Sequence, residues 1–187
     1  MEDLSRQFCG LVICDSSIMD RWAGALYGDP CRECFFTFSR SLDESLAYLA
    51  TVPEEYRDVL ADAAGTERHR DLSWPVASYV CHVADNLRIW AERLAGSAAG
   101  QKAVAPYDEN LLAAARSYPD VPLPAALWSL GRSRGDWEAA VSAASQDGIV
   151  IVHRERGDMN LEDVARGVAH DAFHHAWDIR RSLDASR

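Results

Sequence analysis

Residues 74–94 carry the strongest helical pattern in the chain and read WPVASYVCHVADNLRIWAERL. Its apolar residues recur in alternating steps of four and three, a spacing that places side chains on one face of an α-helix. This stripe consists of Val76, Val80, Val83, Leu87, Trp90 and Leu94. Pro75 precedes it, where proline suits a first helical turn. The stretch is therefore predicted to be a long helix with one buried face.

Upstream of this stretch, the sequence predicts a helix in two pieces. Ser41, with Glu44 three residues later, has the form of a capping box, which satisfies free amides at a helix start. The first piece is expected to run to about residue 51. Pro53 should break the helix, because proline lacks the amide hydrogen that a helix interior needs. A second piece then continues to Ala64, and Gly65 ends it.

Downstream, helices are expected over residues 109–117, 125–144 and 161–183, the last with Asn160 as its N-cap. The β-branched run 149–152 fits either an isolated strand or an extended link. Four substantial helices with little strand predict an all-α four-helix bundle over residues 38–187. Residues 1–37 are predicted to form a short cysteine-rich extension.

Composition indicates an ordinary globular protein. The chain has 187 residues, of which 48% are hydrophobic and 26% charged, and it shows no leader-like segment. Its net charge of -10 and scattered arginines argue against a nucleic-acid partner, which would need a clustered basic surface. No apolar stretch is long enough for a membrane span. We expect a cytoplasmic protein that acts on a small molecule, and a homodimer is plausible for the fold.

The five cysteines allow several interpretations: a structural zinc site, a redox pair or free thiols. Cys9, Cys14, Cys31 and Cys34 crowd the N-terminus, and Cys81 stands alone next to His82. Cys31 and Cys34 form a C-x-x-C motif, which can supply half of a structural zinc site or act as a redox pair. The wider spacing of Cys9 and Cys14 makes a poor second half. Free thiols are the simpler interpretation, with Cys81 as a small core residue.

Three histidines have a spacing that can bind a metal ion. His170 and His174 lie four residues apart on the last helix, so their imidazoles project from one face. With His82 from the strongest helix, they would leave an open coordination position, as in catalytic zinc sites. Spacing alone also fits surface or packed histidines. The apolar stripe of this helix (Leu161, Val164, Val168, Ala172 and Ile179) passes through His175 and lies roughly opposite the predicted pair.

A resemblance to a known family supports the hypothesis of a metal site. The run from Trp74 to Asn86, followed far downstream by His170-Asp171-Ala172-Phe173-His174-His175, resembles the DinB-like family. That family includes thiol-dependent S-transferases and mycothiol-dependent maleylpyruvate isomerases. The resemblance implies a four-helix bundle that holds a divalent metal ion, zinc or nickel, through His82, His170 and His174. It also implies a low-molecular-weight thiol as cosubstrate. Trp177 and Asp178 depart from the small residue and glutamine that many relatives carry.

Carboxylates near the histidines could orient them. Asp85 and Asp178 stand close to the predicted metal-binding faces, although ordinary surface carboxylates would fit the sequence equally well. His153 is expected to be exposed, with a proton carrier as the alternative. The predicted function is a metal-dependent enzyme, a thiol-dependent S-transferase or isomerase. A non-catalytic metal-binding bundle that senses or scaffolds a partner is the alternative.

Overall fold

The computed structural model describes residues 23–186, except for the side chains of residues 146 and 147. Its helices are α1 (Gly24–Tyr27), α2 (Leu42–Val59), α3 (Val76–Ala98), α4 (Glu109–Ala115), α5 (Leu123–Asp147) and α6 (Leu161–Asp184). Its strands are β1 (Ala103–Val104), β2 (Val150–His153) and β3 (Gly157–Asn160). A short 3-10 turn, Tyr118–Asp120, precedes α5.

The four long helices α2, α3, α5 and α6 form the predicted bundle. Helix α3 packs against α5 and α6, and α2 packs against the same two helices. All six residues of the stripe predicted on α3 are buried, which confirms the face assigned from the sequence. Ser41 and Asn160 both form complete capping boxes, as their positions predicted. No helix within residues 23–186 combines the length and apolarity needed to cross a membrane.

The predicted break at Pro53 is wrong, because α2 continues through that residue. The helix ends at Val59, not near Ala64. Leu49, Val52 and Tyr56 are buried on both sides of Pro53, which is itself buried. The packing face therefore passes through the proline without interruption, and burial of this face offsets the missing backbone hydrogen bond.

The β-branched run near residue 150 forms a strand. Strand β2 pairs antiparallel with β3 and parallel with β1, which gives a small three-stranded sheet. The alternation of exposed and buried side chains along β2 turns Ile151 and His153 towards the protein. His153 is buried and stacks on Trp90 of α3, with ring centroids 6.2 Å apart. The expectation that His153 is exposed is wrong.

Residues 23–38 fold onto the bundle. Cys31, Cys34 and Phe36 are buried in the same core as the long helices. Phe36 packs against Phe173 of α6, with ring centroids 5.7 Å apart. This segment covers the second apolar side of α6, so that helix is enclosed on two sides. Cys9 and Cys14 lie outside the described residues, and the boundary at residue 38 stays a prediction.

Gly65 offers a test of the packing between the α2–α3 connection and α5. Its φ is +90°, and an added Cβ would stand 2.8 Å from the Cβ of Leu123 and 3.2 Å from that of Ala77. We expect Gly65→Ala to lower the free energy of unfolding by about 1–3 kcal/mol, since backbone strain and overpacking act together. Chemical denaturation measures this loss.

Gly100→Ala is the matched control. Gly100 also has a φ of +90°, but no atom lies within 4 Å of its added Cβ. This variant reports backbone strain without overpacking, so its loss should be smaller, about 1 kcal/mol. Equal losses in the two variants would contradict the close approach of Leu123 to Gly65.

Candidate metal centre

A cavity of about 490 Å³ opens between α3, α6 and the segments that cover them. Aromatic side chains make up much of its wall: Tyr27, Phe38, Trp74, Tyr79, Trp90 and Tyr107. Polar side chains occupy the remainder, and most of the protein's histidines are among them: His82, His153, His170, His174 and His175. The cavity is large enough for a small organic molecule.

At one wall of this cavity, three potential metal ligands converge. They are His82 of α3 and Asp171 and His175 of α6, and one ligand atom from each lies within 4.8 Å of the others. The Asp171 Oδ1 atom is 3.2 Å from His82 Nε2 and 3.7 Å from His175 Nε2. Asp171 and His175 are four residues apart, so α6 presents them on one face, towards α3.

Asp178 orients the ring of His175. The His175 Nδ1 atom is 3.0 Å from Asp178 Oδ2, and Asp178 is almost completely buried. A proton shared along this contact leaves the lone pair on Nε2, the nitrogen that faces Asp171. Carboxylates hold the ligating histidines of metal sites in the same way.

Charge in the triad centres on Asp171. Burial alone would raise the pKa of this carboxyl, but the neighbouring imidazoles of His82 and His175 hold it well below its usual range. The pKa of His82 shifts in the opposite direction. Burial alone would lower this pKa, but the attraction of the Asp171 carboxylate is stronger, so the pKa of His82 is raised. The carboxylate is therefore ionised and favours a positive charge between the three side chains.

Unsatisfied atoms and the chemistry of the donor set are both compatible with a metal ion. His82 Nδ1 and Asp171 Oδ2 are buried and have no hydrogen-bond partner among the described residues. A buried polar atom without a partner costs free energy, so it needs a ligand or water to complete its surroundings. Two imidazoles and one carboxylate are also the ligand set of several catalytic zinc sites. The residues present therefore fit a divalent ion.

His82, His170 and His174, the three histidines predicted as ligands, do not converge in one group. The structure sets His170 and His174 beside Cys31 and Cys34, with all four ligand atoms within 4.8 Å of one another. Burial and the neighbouring His174 lower the pKa of His170 to about 4, so its ring is neutral near pH 7. Burial raises the pKa of Cys34 to about 11, which keeps this thiol protonated as it stands.

Asp85 faces a different network from the one suggested by its position near His82. This buried carboxylate accepts hydrogen bonds from Tyr118, Arg88 and Arg116. These contacts tie α3 to α4 and to the 3-10 turn that follows it. Asp85 therefore stabilises the bundle at one edge of the site, and of the two carboxylates predicted to orient the histidines it is Asp178 that contacts them.

A basic wall stands elsewhere in the same cavity. Arg93 and Arg156 both line it, and Arg93 lies over the rings of Trp90 and Tyr107 at 4.4 and 5.5 Å. Burial, together with the charges of Arg156 and Arg93, lowers the pKa of His153 to about 4. His153 is therefore neutral near pH 7, and the arginines supply the positive charge on this wall.

In the group around His82, the two members that were not predicted from the sequence are Asp171 and His175. Their signal was present in the apolar stripe of α6, which passes through His175. Asp171 lies seven residues after Val164 and three after Val168, so it also belongs to the core-facing side. A stripe that faces the core also faces α3, where His82 is buried.

Comparisons with known proteins agree with this fold. The model of the DinB superfamily matches residues 38–179. Comparison with curated proteins finds no significant match. A similar solved structure is that of YfiT from Bacillus subtilis, described as a probable metal-dependent hydrolase with an unusual four-helix bundle topology. The two chains are 20% identical and superpose with a TM-score of 0.62 over 78% of this chain and 86% of YfiT.

At that identity the likeness to YfiT shows a shared fold, and the family assignment rests on the matched sequence. The match spans most of the chain and includes α2, α3, α5 and nearly all of α6. The chain belongs to the DinB superfamily.

Proposed function

We propose that this protein is a divalent-metal-dependent enzyme whose ion is held by His82, Asp171 and His175. The observation that carries the proposal is the convergence of these three side chains at the wall of a cavity, with Asp178 behind His175. Zinc and nickel are both compatible with two imidazoles and a carboxylate. This set replaces the three-histidine set that the resemblance implied.

Three protein ligands leave a coordination position for water or substrate. A divalent ion bound there would lower the pKa of a water or thiol ligand and polarise an acceptor group. The residues of the chain do the remaining work. His82 is fixed by burial on α3, His175 is oriented by Asp178, and Asp171 supplies the negative charge. Trp74 lies against His82, with ring centroids 5.3 Å apart, and limits the approach of solvent on that side.

The cavity favours an enzyme over a sensor or scaffold. A metal site that only stabilises a bundle needs no adjoining space, whereas this triad opens into about 490 Å³ lined by Trp, Tyr and Arg side chains. Aromatic walls with a few convergent polar groups are typical of small-molecule sites. A small organic substrate is therefore part of the proposal.

Two reaction classes fit the site. Family resemblance favours transfer of a low-molecular-weight thiol to an electrophile, or thiol-assisted isomerisation. Hydrolysis is the second candidate, and its support is the similarity to YfiT, which is described as a probable metal-dependent hydrolase. Both classes need a nucleophile made more acidic by the ion, so the triad alone serves either one.

The basic wall also indicates which class of substrate the cavity binds. Arg93 and Arg156 line the cavity together, and the net charge of the whole chain is -10. Glu109 and Glu155 line the cavity as well, so the proposal concerns the part beside Trp90, where both guanidinium groups lie over the ring and favour a carboxylate or another anionic group of the substrate.

The ligand assignment predicts which variants lose metal. His175→Ala should lower zinc affinity at this site strongly because it removes a donor nitrogen, and Asp171→Asn should do so because it replaces a charged carboxylate with a neutral, weaker amide donor. Asp178→Asn should weaken binding by about 10–100-fold, since it leaves His175 in place but removes the carboxylate that orients it. Competition titration with a chelating dye measures these affinities.

His69→Ala is the matched control for these variants. His69 is half-buried and contacts Asp71, and it does not line the cavity. Its replacement should leave zinc affinity unchanged. Full zinc binding in His175→Ala would contradict the proposed ligand set.

The basic wall gives a kinetic prediction. Arg93→Met keeps much of the side-chain volume over Trp90 but removes the charge. It should raise KM for an anionic substrate by about 10-fold or more while changing kcat less, because an ion pair to the substrate is lost. The same reaction with a neutral ester of that substrate should be nearly insensitive to the change. An equal effect on both substrates would count against an anion-binding wall.

A reaction panel distinguishes the classes. Zinc- or nickel-loaded protein is incubated with electrophiles and a small thiol such as mycothiol, cysteine or glutathione, and separately with activated esters and amides without thiol. Turnover that requires the thiol supports S-transfer or isomerisation, and turnover without it supports hydrolysis. No turnover with any pair, in protein that retains its metal, would favour the non-catalytic alternative.

A further inference from the structure

We propose that Cys31, Cys34, His170 and His174 form a second metal site, a closed zinc site that fastens the N-terminal segment to α6. It is separate from the triad of His82, Asp171 and His175, and it does not depend on the function proposed for that triad. Its role is structural, because all four positions of a tetrahedral ion would be taken by protein atoms.

The donor set has the spacing of a Cys2His2 zinc site. Cys31 and Cys34 are separated by two residues, and His170 and His174 by three, which are the ligand spacings of structural zinc sites. In the sequence the C-x-x-C motif lacks a convincing partner pair. The fold supplies one from the other end of the chain, and the four ligand atoms lie within 4.8 Å of one another.

The ring of His174 is oriented for metal binding. Its Nδ1 atom faces Cys31, with the sulfur 3.9 Å away. Its Nε2 atom faces two carboxylates, Glu33 at 3.4 Å and Asp178 at 3.8 Å. A ligating imidazole binds the ion with one nitrogen and donates its other N–H to a carboxylate, as this arrangement allows.

Burial favours an ion that cancels charge. Cys31, Cys34 and His170 are 2%, 4% and 6% exposed, and His170 Nε2 has no hydrogen-bond partner among the described residues. Two thiolates, two neutral imidazoles and a divalent cation sum to zero charge, which keeps the cost of burying the site low. The rings of Tyr27, Phe36 and Phe38 surround His170 at centroid distances of 4.7, 5.4 and 4.7 Å and exclude water.

The site would hold one wall of the cavity in place. Tyr27 and Phe38 flank the C-x-x-C motif and both line the cavity. Cys31 and Glu33 of this motif contact His174 of α6, the helix that also carries Asp171 and His175. Zinc at the Cys2His2 site would therefore position the segment that covers the other metal centre.

Cobalt substitution tests the proposal on the full-length chain. The reduced protein is stripped of metal and reloaded with cobalt(II), and its absorption spectrum is recorded. A thiolate-to-cobalt charge-transfer band should appear in the wild type, since only a site with cysteine ligands gives one. X-ray absorption of the zinc-loaded protein should show zinc–sulfur scattering at about 2.3 Å together with zinc–nitrogen scattering at about 2.0 Å.

Variants assign the band to its ligands. Cys31→Ser/Cys34→Ser should abolish it and lose about one metal per chain, whereas cobalt bound at the His82 triad should remain. Cys81→Ser is the matched control, because Cys81 is also a buried free thiol but lies outside the four-residue group. It should keep the band.

Three results would overturn the proposal. One is the absence of a charge-transfer band in reduced wild-type protein. Another is a band that survives in Cys31→Ser/Cys34→Ser. The third is loss of the band in Cys9→Ser/Cys14→Ser with sulfur-only scattering in the wild type, which would indicate a tetrathiolate site in place of the Cys2His2 site. Because the wild-type spectrum is measured first, a variant that fails to fold does not remove the test.

Discussion

The interaction on which the site depends is the contact of the Asp171 carboxylate with two imidazoles, one from each of two bundle helices. His82 reaches it from α3 and His175 from the next turn of α6. The carboxylate is ionised because the neighbouring histidines lower its pKa. The side of α6 that carries Asp171 and His175 faces α3, and the neighbouring row, with His170 and His174, faces the N-terminal segment.

Helix α6 therefore contributes to two groups of potential metal ligands with side chains that are one residue apart. Asp178 links them, since one of its oxygens lies 3.0 Å from His175 and 3.8 Å from His174. Burial of Asp178 keeps this link out of bulk water, where electrostatic interactions would be weaker. A change at the proposed Cys2His2 site can thereby reach the group of His82, Asp171 and His175 through one carboxylate and through the cavity wall that residues 23–38 provide.

The sequence predicted the bundle well, because helix periodicity and capping are local signals. The apolar stripe on α3 and the caps at Ser41 and Asn160 are short patterns that each predict one local structure. The structure confirms the buried face and both capping boxes. The break predicted at Pro53 was wrong, because whether a helix can contain a proline depends on how other helices pack against it. Exposure of His153 was predicted wrongly for a similar reason: the small sheet that turns it towards Trp90 requires pairing between β1 and β2, which are far apart in sequence.

The site was harder to predict than the fold. Six histidines, with two of them adjacent at 174 and 175, allow two i, i+4 pairs on α6 that differ by one residue. Spacing favours neither His170–His174 nor Asp171–His175, and the choice depends on which row faces α3. That His170 and His174 lie beside Cys31 and Cys34 could not be predicted from spacing either, because this contact joins the two ends of the described chain.

Anomalous X-ray diffraction at the zinc absorption edge, on crystals of the zinc-loaded protein, would locate each bound ion. We expect a peak bounded by His82, Asp171 and His175, and a separate peak among Cys31, Cys34, His170 and His174. A single peak shared by His82, His170 and His174, with Asp171 and His175 outside its coordination sphere, would contradict the assignment.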